Sequence, residues 1–222
     1  MINIVKSMPP PKCLEKEKKK TRGDYKCGDV LKRTKNDFKN KCYICEYKQP
    51  TSINVEHFIP HKGNKELKFD WNNLFWACSH CNNTKAARGD NILNCTSPEQ
   101  DVENWLTYEF KPFPKEKVKI TALSNEEIVH NTVRLLIEVY NGTTPLKMIE
   151  SSNLRQALLN EIVDFQQALM GYYDENAEDA EKAIYLRKIK QHLKKSSAFT
   201  AFKRWIVKEN PVFKQEFQRY FD

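Results

Sequence analysis

Apolar residues recur at helical spacing through the second half of the chain. Two segments carry an apolar residue at every third or fourth position, which places these residues on one face of a helix. The two stripes consist of Val129, Val133, Leu136 and Tyr140, and of Leu154, Leu158, Ile162, Phe165 and Leu169. Further helices are predicted over residues 180–195 and from Ser196 and Pro211 onwards. We expect the apolar faces of these helices to pack against one another in a bundle.

Capping residues predict where some of these helices begin and end. Ser97 followed by Pro98 is typical of a helix start, because proline is favoured at the first helical position. Ser124 with Glu127 three residues later has the pattern of a capping box. Gly142 predicts the end of that second helix, since glycine readily adopts the left-handed conformation that often terminates helices.

The pattern changes between Cys42 and Cys95. A strand is predicted at "TSINVEH", which is rich in β-branched residues, and a second strand at the short apolar run "LFWAC". The polar segment between them, "HKGNKELKFDWNN", predicts a loop. A helix of about two turns is predicted at "SHCNNTKAARGD", ending at Gly89. The order strand, loop, strand, helix indicates a small module, so the chain as a whole is α+β but mostly α.

The N-terminal segment is set apart by its charge. Residues 1–41 contain thirteen Lys or Arg and five Asp or Glu, so they hold the whole net charge of +8. A short helix is predicted from Asp29 to about Lys39. Such an excess of positive charge is typical of a segment that binds a polyanion, and it also suits a solvated surface. We therefore divide the chain into a basic N-terminal arm (1–41), a module (42–95) and a helical domain (96–222).

Composition limits the classes of protein to consider. The chain is 40% hydrophobic and 30% charged, which is typical of a globular protein with a packed core. It contains no apolar run of about 18 residues, so no membrane span is expected. The N-terminus lacks the apolar region of a signal peptide, and we expect a cytoplasmic location. Seven cysteines are an odd number for a disulfide framework, and in a reducing compartment their spacing favours metal binding.

Four of the seven cysteines form two Cys-x-x-Cys pairs. Each pair turns two sulfur atoms towards one point, so two pairs can provide the four ligands of a tetrahedral zinc ion. A redox role for such a pair requires a βαβ unit, which the predicted elements lack. All four ligand positions are filled, and we therefore predict a structural zinc ion. The pairs are Cys42 with Cys45 and Cys78 with Cys81.

Four polar residues accompany these cysteine pairs. Glu56 and His57 end the first predicted strand. Asn73 precedes the second strand, and Asn82 directly follows the last cysteine. In this order, the motifs of residues 42–88 resemble those of the HNH endonucleases, which are ββα-metal nucleases with a zinc clip. The resemblance implies an enzyme that hydrolyses phosphodiester bonds of nucleic acid, with DNA favoured and RNA such as tRNA as the alternative.

The resemblance also implies roles for these residues. His57 would be the general base, since a neutral imidazole can take a proton from water at pH 7. Glu56 and Asn82 would be the protein ligands of one Mg²⁺ or Mn²⁺ ion, and Asn73 would brace the loop that bears the base. The residues implied to contact nucleic acid are Lys62, Lys85 and Arg88, with His61 as a further contact to substrate or metal.

Two of these positions depart from the commoner pattern of the family. Glu56 stands where Asp is more frequent, and its side chain is one methylene longer. Asn82 stands where the family often has His. A neutral oxygen ligand binds transition metals more weakly than imidazole does, so this substitution favours Mg²⁺.

A narrower resemblance extends over the whole chain. The start "INIVKSMPPPKCL", the motif "VEHFIPHKG" and the long helical tail are similar to the HNH nuclease subunit of Septu-type anti-phage systems, which also occurs with some retrons. This resemblance implies an ABC/SMC-like ATPase that docks on the arm or the tail and regulates cleavage. The alternative from another class is a zinc ribbon that binds nucleic acid or protein without cutting it. Such a ribbon needs the cysteines, but it has no use for a base beside an oxygen ligand.

Overall fold

The computed structural model describes residues 1–48, 50–88 and 91–222, without the side chains of residues 87 and 88. It is mostly helical with one small sheet, as the sequence predicts. None of the described helices is both long and apolar enough to cross a membrane. The helices are α1 (Lys12–Lys18), α2 (Gly28–Asp37), α3 (Lys65–Phe69), α4 (Ser79–Arg88), α5 (Glu127–Asn141), α6 (Pro145–Tyr172), α7 (Asp179–Leu193), α8 (Thr200–Glu209) and α9 (Pro211–Phe217), and the strands are β1 (Ile53–His57) and β2 (Leu74–Cys78).

The two strands form an antiparallel sheet. Its register runs from Ile53 opposite Cys78 to His57 opposite Leu74. Strand β2 is buried along its whole length, which explains its unbroken apolar sequence. Helix α4 follows β2 directly, so the predicted order of strand, strand and helix is confirmed.

Helix α3 lies in the segment that the sequence predicts to be a loop. The side chain of Asn64 accepts hydrogen bonds from the backbone N–H groups of Glu66 and Leu67, at 2.8 and 3.3 Å. This cap satisfies two N–H groups that have no partner within the helix, and it stabilises a helix only five residues long. The prediction of a plain loop is therefore wrong, and the added turn of helix places the backbone carbonyl of Lys68 beside His57.

The described segment that precedes α5 is not helical. The helix start predicted at residues 97–98 is wrong, because this segment consists of turns and isolated antiparallel bridges. The bridges join Leu106 to Ala122 and Glu109 to Lys119, so part of this backbone pairs with distant residues instead of forming a helix.

The end of α5 is confirmed and its predicted cap is wrong. The hydroxyl of Ser124 accepts a hydrogen bond from the N–H of Glu126, and no side chain caps the helix. The helix ends at Asn141, and Gly142 follows with a φ of +70°. In α6, the stripe that begins at Leu154 is buried in full.

One apolar cluster draws on all three segments that the sequence distinguishes. It contains Met1 and Ile2 at the N-terminus, Tyr43 and Trp71 near the sheet, and Phe202 of α8. A second, smaller cluster lies between the C-terminal half of α6 and helices α7, α8 and α9. The ββα unit thus gains apolar contacts that a unit of about fifty residues is too small to provide alone.

Cys13 and Cys27 form a disulfide bond. Cysteine spacing alone favoured metal binding over disulfides, and this expectation is wrong for the pair. Their sulfur atoms meet because Cys13 lies in α1 and Cys27 directly precedes α2, an approach that no local sequence pattern indicates. The bond joins the first turn of α1 to the residue before α2.

Candidate active site and metal centre

The cysteines of the two Cys-x-x-Cys pairs converge on one point. All four are buried, and their sulfur atoms lie within 4.8 Å of one another. The Sγ atoms of Cys45 and Cys78 are 3.9 Å apart. In a tetrahedral site with Zn–S bonds of about 2.3 Å, two sulfur atoms are separated by about 3.8 Å. The size and chemistry of this group of thiols therefore fit a zinc ion.

The protonation of these thiols also fits a cation among them. Hydrogen bonds from Cys42 and from the other two cysteines hold the pKa of Cys78 far below its usual range. Burial raises the pKa of Cys45 and of Cys81 well above the usual range. Four neighbouring buried thiols cannot all ionise by themselves, and a bound zinc ion supplies the positive charge that they need.

Helices α5 and α6 hold the cysteine pairs in place. The hydroxyl of Tyr140 donates a hydrogen bond to the carbonyl oxygen of Cys45 at 2.6 Å. The Nε2 atom of His80 lies 2.8 Å from the carbonyl oxygen of Val139, and its Nδ1 atom lies 2.7 Å from a carboxylate oxygen of Glu150. His80 therefore links the second cysteine pair to the helical part of the protein.

A cavity of about 500 Å³ opens between the end of β1, the start of α4 and the segment before α2. It brings together most of the site residues predicted from the sequence. The predicted residues among those that line it are Glu56, His57, His61, Lys62, Asn82 and Lys85. Asn73 contacts the loop that forms one wall of this cavity. Arg88 was predicted to contact nucleic acid, and its side chain lies outside the described residues.

A backbone carbonyl fixes the imidazole of His57. Its Nε2 atom lies 3.0 Å from the carbonyl oxygen of Lys68, in the last turn of α3. A carbonyl oxygen only accepts hydrogen bonds, so Nε2 carries the proton and Nδ1 keeps a lone pair. Burial lowers the pKa of His57, which keeps the ring neutral at pH 7. Nδ1 is therefore the atom that can accept a proton.

Both polar atoms of the Asn73 side chain make hydrogen bonds to the backbone around His57. Its Oδ1 atom accepts a hydrogen bond from the N–H of Ile59 at 2.7 Å. Its Nδ2 atom donates to the carbonyl oxygens of Ile59 and Leu67, at 2.8 and 3.0 Å. The amide thus ties the loop after β1 to α3, the helix whose Lys68 carbonyl contacts His57.

Replacing Asn73 by Ala should destabilise the protein by about 2–4 kcal/mol, because buried backbone groups lose their partners. The neighbouring Asn72 is exposed and provides a matched control, since Asn72→Ala removes no buried contact. Urea denaturation of the two variants measures the difference. Equal denaturation midpoints for both would contradict the bracing contact.

Glu56 is buried and paired with Lys85. Its Oε2 atom lies 3.6 Å from the Nζ atom of Lys85, which also donates to the carbonyl oxygens of His57 and Phe58. Burial raises the pKa of Glu56 to about 7, although Lys85 acts in the opposite direction. Lys85 therefore offsets the charge of the carboxylate and fastens the end of β1 to α4. A contact of Lys85 with phosphate stays a prediction.

The oxygen atoms on this side of the cavity suit a divalent cation. Lys85 lies near Oε2 of Glu56, and this carboxylate lines the cavity. Asn82, on the first turn of α4, adds a neutral amide oxygen. Carboxylate and amide oxygens are hard ligands of the kind that Mg²⁺ and Mn²⁺ prefer. The donor set therefore fits the predicted metal.

Sequence reasoning missed three polar residues that line the cavity, which are Tyr25, Lys26 and Asn54. Asn54 precedes Glu56 by two residues on β1, and the two-residue period of a strand places both on one face, so this residue could have been found. Tyr25 and Lys26 come from the segment before α2. No local pattern in that segment indicates that it reaches the cavity.

Comparison with known proteins identifies the central part of the chain. Residues 42–88 match the sequence model of the HNH endonuclease family. A search of curated proteins found no significant match to the chain. The matched residues include both strands, α4 and the four cysteines that converge. The chain thus contains an HNH endonuclease domain and is a nuclease, a hydrolase that acts on phosphodiester bonds of nucleic acid.

Proposed function

We propose that the protein is an endonuclease that cuts DNA with one Mg²⁺ or Mn²⁺ ion, His57 as general base, and Glu56 and Asn82 as metal ligands. The strongest support is the hydrogen bond between His57 and the carbonyl of Lys68. It leaves Nδ1 unprotonated in a cavity that also contains the two oxygen ligands. A general base at pH 7 requires such a nitrogen within reach of water.

Each of several residues in and around the pocket has a separate role in the proposed reaction. The Nδ1 atom of His57 takes a proton from a water molecule, and the water oxygen attacks the phosphorus atom as the bond to the 3′ oxygen breaks. The leaving 3′ oxygen takes a proton from solvent water. The products are a 5′-phosphate and a 3′-hydroxyl group. The metal, when bound, would neutralise charge on the phosphate and on the leaving oxygen. Lys85 holds the Glu56 carboxylate in position throughout, and Asn73 holds the loop that follows His57.

Basic residues at the rim complete the proposal. Lys62 is exposed and lines the cavity, where it is suited to contact a phosphate of the substrate. His61 lies beside His57, with ring centroids 4.6 Å apart, and is suited to contact substrate or metal. Since water is the attacking group, the chemistry needs no 2′-hydroxyl group and applies to DNA and RNA alike.

We further propose that the chain acts in the cytoplasm as the nuclease subunit of an anti-phage defence complex with an ABC/SMC-like ATPase. The support is the resemblance of its N-terminal run, its motifs and its helical tail to Septu-type subunits. In this setting the ATPase regulates cleavage, and the isolated chain has low activity.

A competition experiment tests the choice of substrate and partner together. Labelled duplex DNA and tRNA are mixed in equal amounts with the zinc-loaded chain in Mg²⁺, with and without the ATPase encoded beside it. We expect DNA to be cut first, and faster when the ATPase is present. Preferential loss of tRNA would replace DNA by RNA in the proposal, and an ATPase that neither binds nor changes the rate would reject the complex.

A further inference from the structure

The segment between α1 and α2 reaches the catalytic pocket from outside the matched nuclease domain. Tyr25 and Lys26 line the cavity that contains His57, although they precede residues 42–88. The family match therefore does not include every residue around the base. What this segment contributes to the reaction follows from how it is held and what it touches.

Several contacts hold this segment against the pocket. The Nζ atom of Lys68 donates to the carbonyl oxygen of Gly23 at 2.8 Å, while the carbonyl of the same Lys68 contacts His57. A Cβ atom at Gly23 would lie 1.9 Å from the carbonyl oxygen of Glu17, so this close approach requires glycine. At the other end of the segment, Cys27 lies against Cys13 of α1. Lys68 thus fixes the position of the segment relative to His57, because it contacts both of them.

The ring of Tyr25 packs against the base itself. The ring centroids of Tyr25 and His57 are 4.4 Å apart, with an angle of 60° between the planes. Within the described part of the chain, the Tyr25 hydroxyl makes no hydrogen bond, so the aromatic ring is the part that contacts His57. Lys26 is exposed at the rim, and its Nζ atom lies 5.5 Å from the centroid of the Tyr25 ring.

We infer that this segment completes the active site: Tyr25 is a positioning residue for His57, and Lys26 contacts a phosphate of the substrate. The Tyr25 ring and the Lys68 carbonyl together prevent the imidazole ring from rotating by about 180° around its bond to Cβ. The Nδ1 atom therefore stays directed towards the pocket. Lys26 provides a positive charge where a nucleic acid enters. This inference rests on the proposed role of His57 as the base.

Cleavage kinetics separate the two roles. Tyr25→Ala should lower kcat about 10- to 100-fold with KM almost unchanged, because a displaced base slows only the chemical step. Tyr25→Phe keeps the ring and should recover most of the rate. Lys26→Gln should raise KM about 3- to 10-fold and leave kcat near the wild-type value. The matched control is Lys32→Gln, which removes another exposed lysine of the basic segment and should change neither constant.

Two results would overturn the inference. One is a wild-type kcat for Tyr25→Ala, and the other is a loss that Tyr25→Phe does not recover. If Tyr25→Ala fails to fold, Tyr25→Leu keeps an apolar side chain against the segment and is measured in its place. An unchanged KM for Lys26→Gln would reject the phosphate contact.

A second measurement does not depend on cleavage. The ¹⁵N chemical shifts of the histidine ring report which nitrogen carries the proton, and the His57 signals are assigned by their loss in His57→Gln. We expect the Nε2–H form in the wild type and in Tyr25→Phe, and a mixture of both forms in Tyr25→Ala. A single Nε2–H form in Tyr25→Ala would contradict positioning. If the tautomer changes as expected but the wild type cuts no nucleic acid, the proposed function fails and the positioning contact stands.

Discussion

Replacing His57 by Ala should lower the rate of cleavage about 10²- to 10⁴-fold, because the attacking water loses its general base. The side chain is only half-buried, so its removal should leave the melting temperature and the zinc content almost unchanged. Single-turnover cleavage in Mg²⁺ with the enzyme in excess over nucleic acid measures the chemical step. A loss of activity without a loss of structure is the result that distinguishes a catalytic histidine from a structural one.

His130 provides the matched control for this variant. It is an exposed histidine of α5, outside the pocket-lining set, and His130→Ala should cleave at the wild-type rate. A His57→Ala protein that cuts as fast as the wild type would contradict the role of the base. A variant that unfolds or loses its zinc would instead assign His57 a structural role.

Loss of the zinc ion should unfold the nuclease domain. Cys81 is fully buried among the other three thiols, and a structural zinc site of this kind contributes on the order of 10 kcal/mol to folding. The Cys81→Ser variant, or the wild type treated with a strong chelator, should lose most of its cooperative melting transition. Zinc analysis and circular dichroism measured on the same samples test this expectation.

Cys95→Ser is the control for the zinc experiment. Cys95 is also buried and free, but it is not part of the group of four. This variant should retain one zinc ion per chain and a single melting transition. A Cys81→Ser protein with the same zinc content and melting temperature as Cys95→Ser would contradict a structural zinc site.

The ββα unit could be predicted because its determinants are local. The sequence shows three such local signals, each within a few adjacent residues: the cysteine spacing, a β-branched run that ends at Glu56 and His57, and an apolar run at residues 74–78. The C-terminal helices are predictable for a similar reason, since stripes such as that of Leu154 and Leu158 extend over several turns.

The elements that were not predicted depend on single side chains or on distant pairing. Helix α3 exists because Asn64 caps one turn that has no apolar period. The segment around residues 97–98 has a helix-start pattern, but it precedes backbone pairing between residues 106–109 and 119–122. In the first case a single capping side chain overrides the preference that the local pattern indicates, and in the second case the surrounding backbone pairs with distant residues.

Within the pocket, too, residues with a local sequence signal were predicted and contacts between distant residues were not. Resemblance to the HNH endonucleases led to Glu56, His57 and Asn82, which line one cavity. It did not indicate the ion pair between Glu56 and Lys85, because that pair depends on how α4 packs against β1. Tyr25 was missed because its contact with His57 depends on the hydrogen bond between Lys68 and Gly23.

The most direct test is the metal-dependent cleavage of plasmid and tRNA by the zinc-loaded wild-type chain, used in molar excess. We predict cuts that appear with Mg²⁺ or Mn²⁺, that vanish with EDTA, and that carry 5′-phosphate and 3′-hydroxyl ends. Folded protein with one zinc ion per chain that leaves both nucleic acids intact in either metal, alone and with the proposed ATPase partner, would contradict the central claim. Cuts with a 2′,3′-cyclic phosphate would contradict it as well, since they would show attack by a ribose hydroxyl rather than by water.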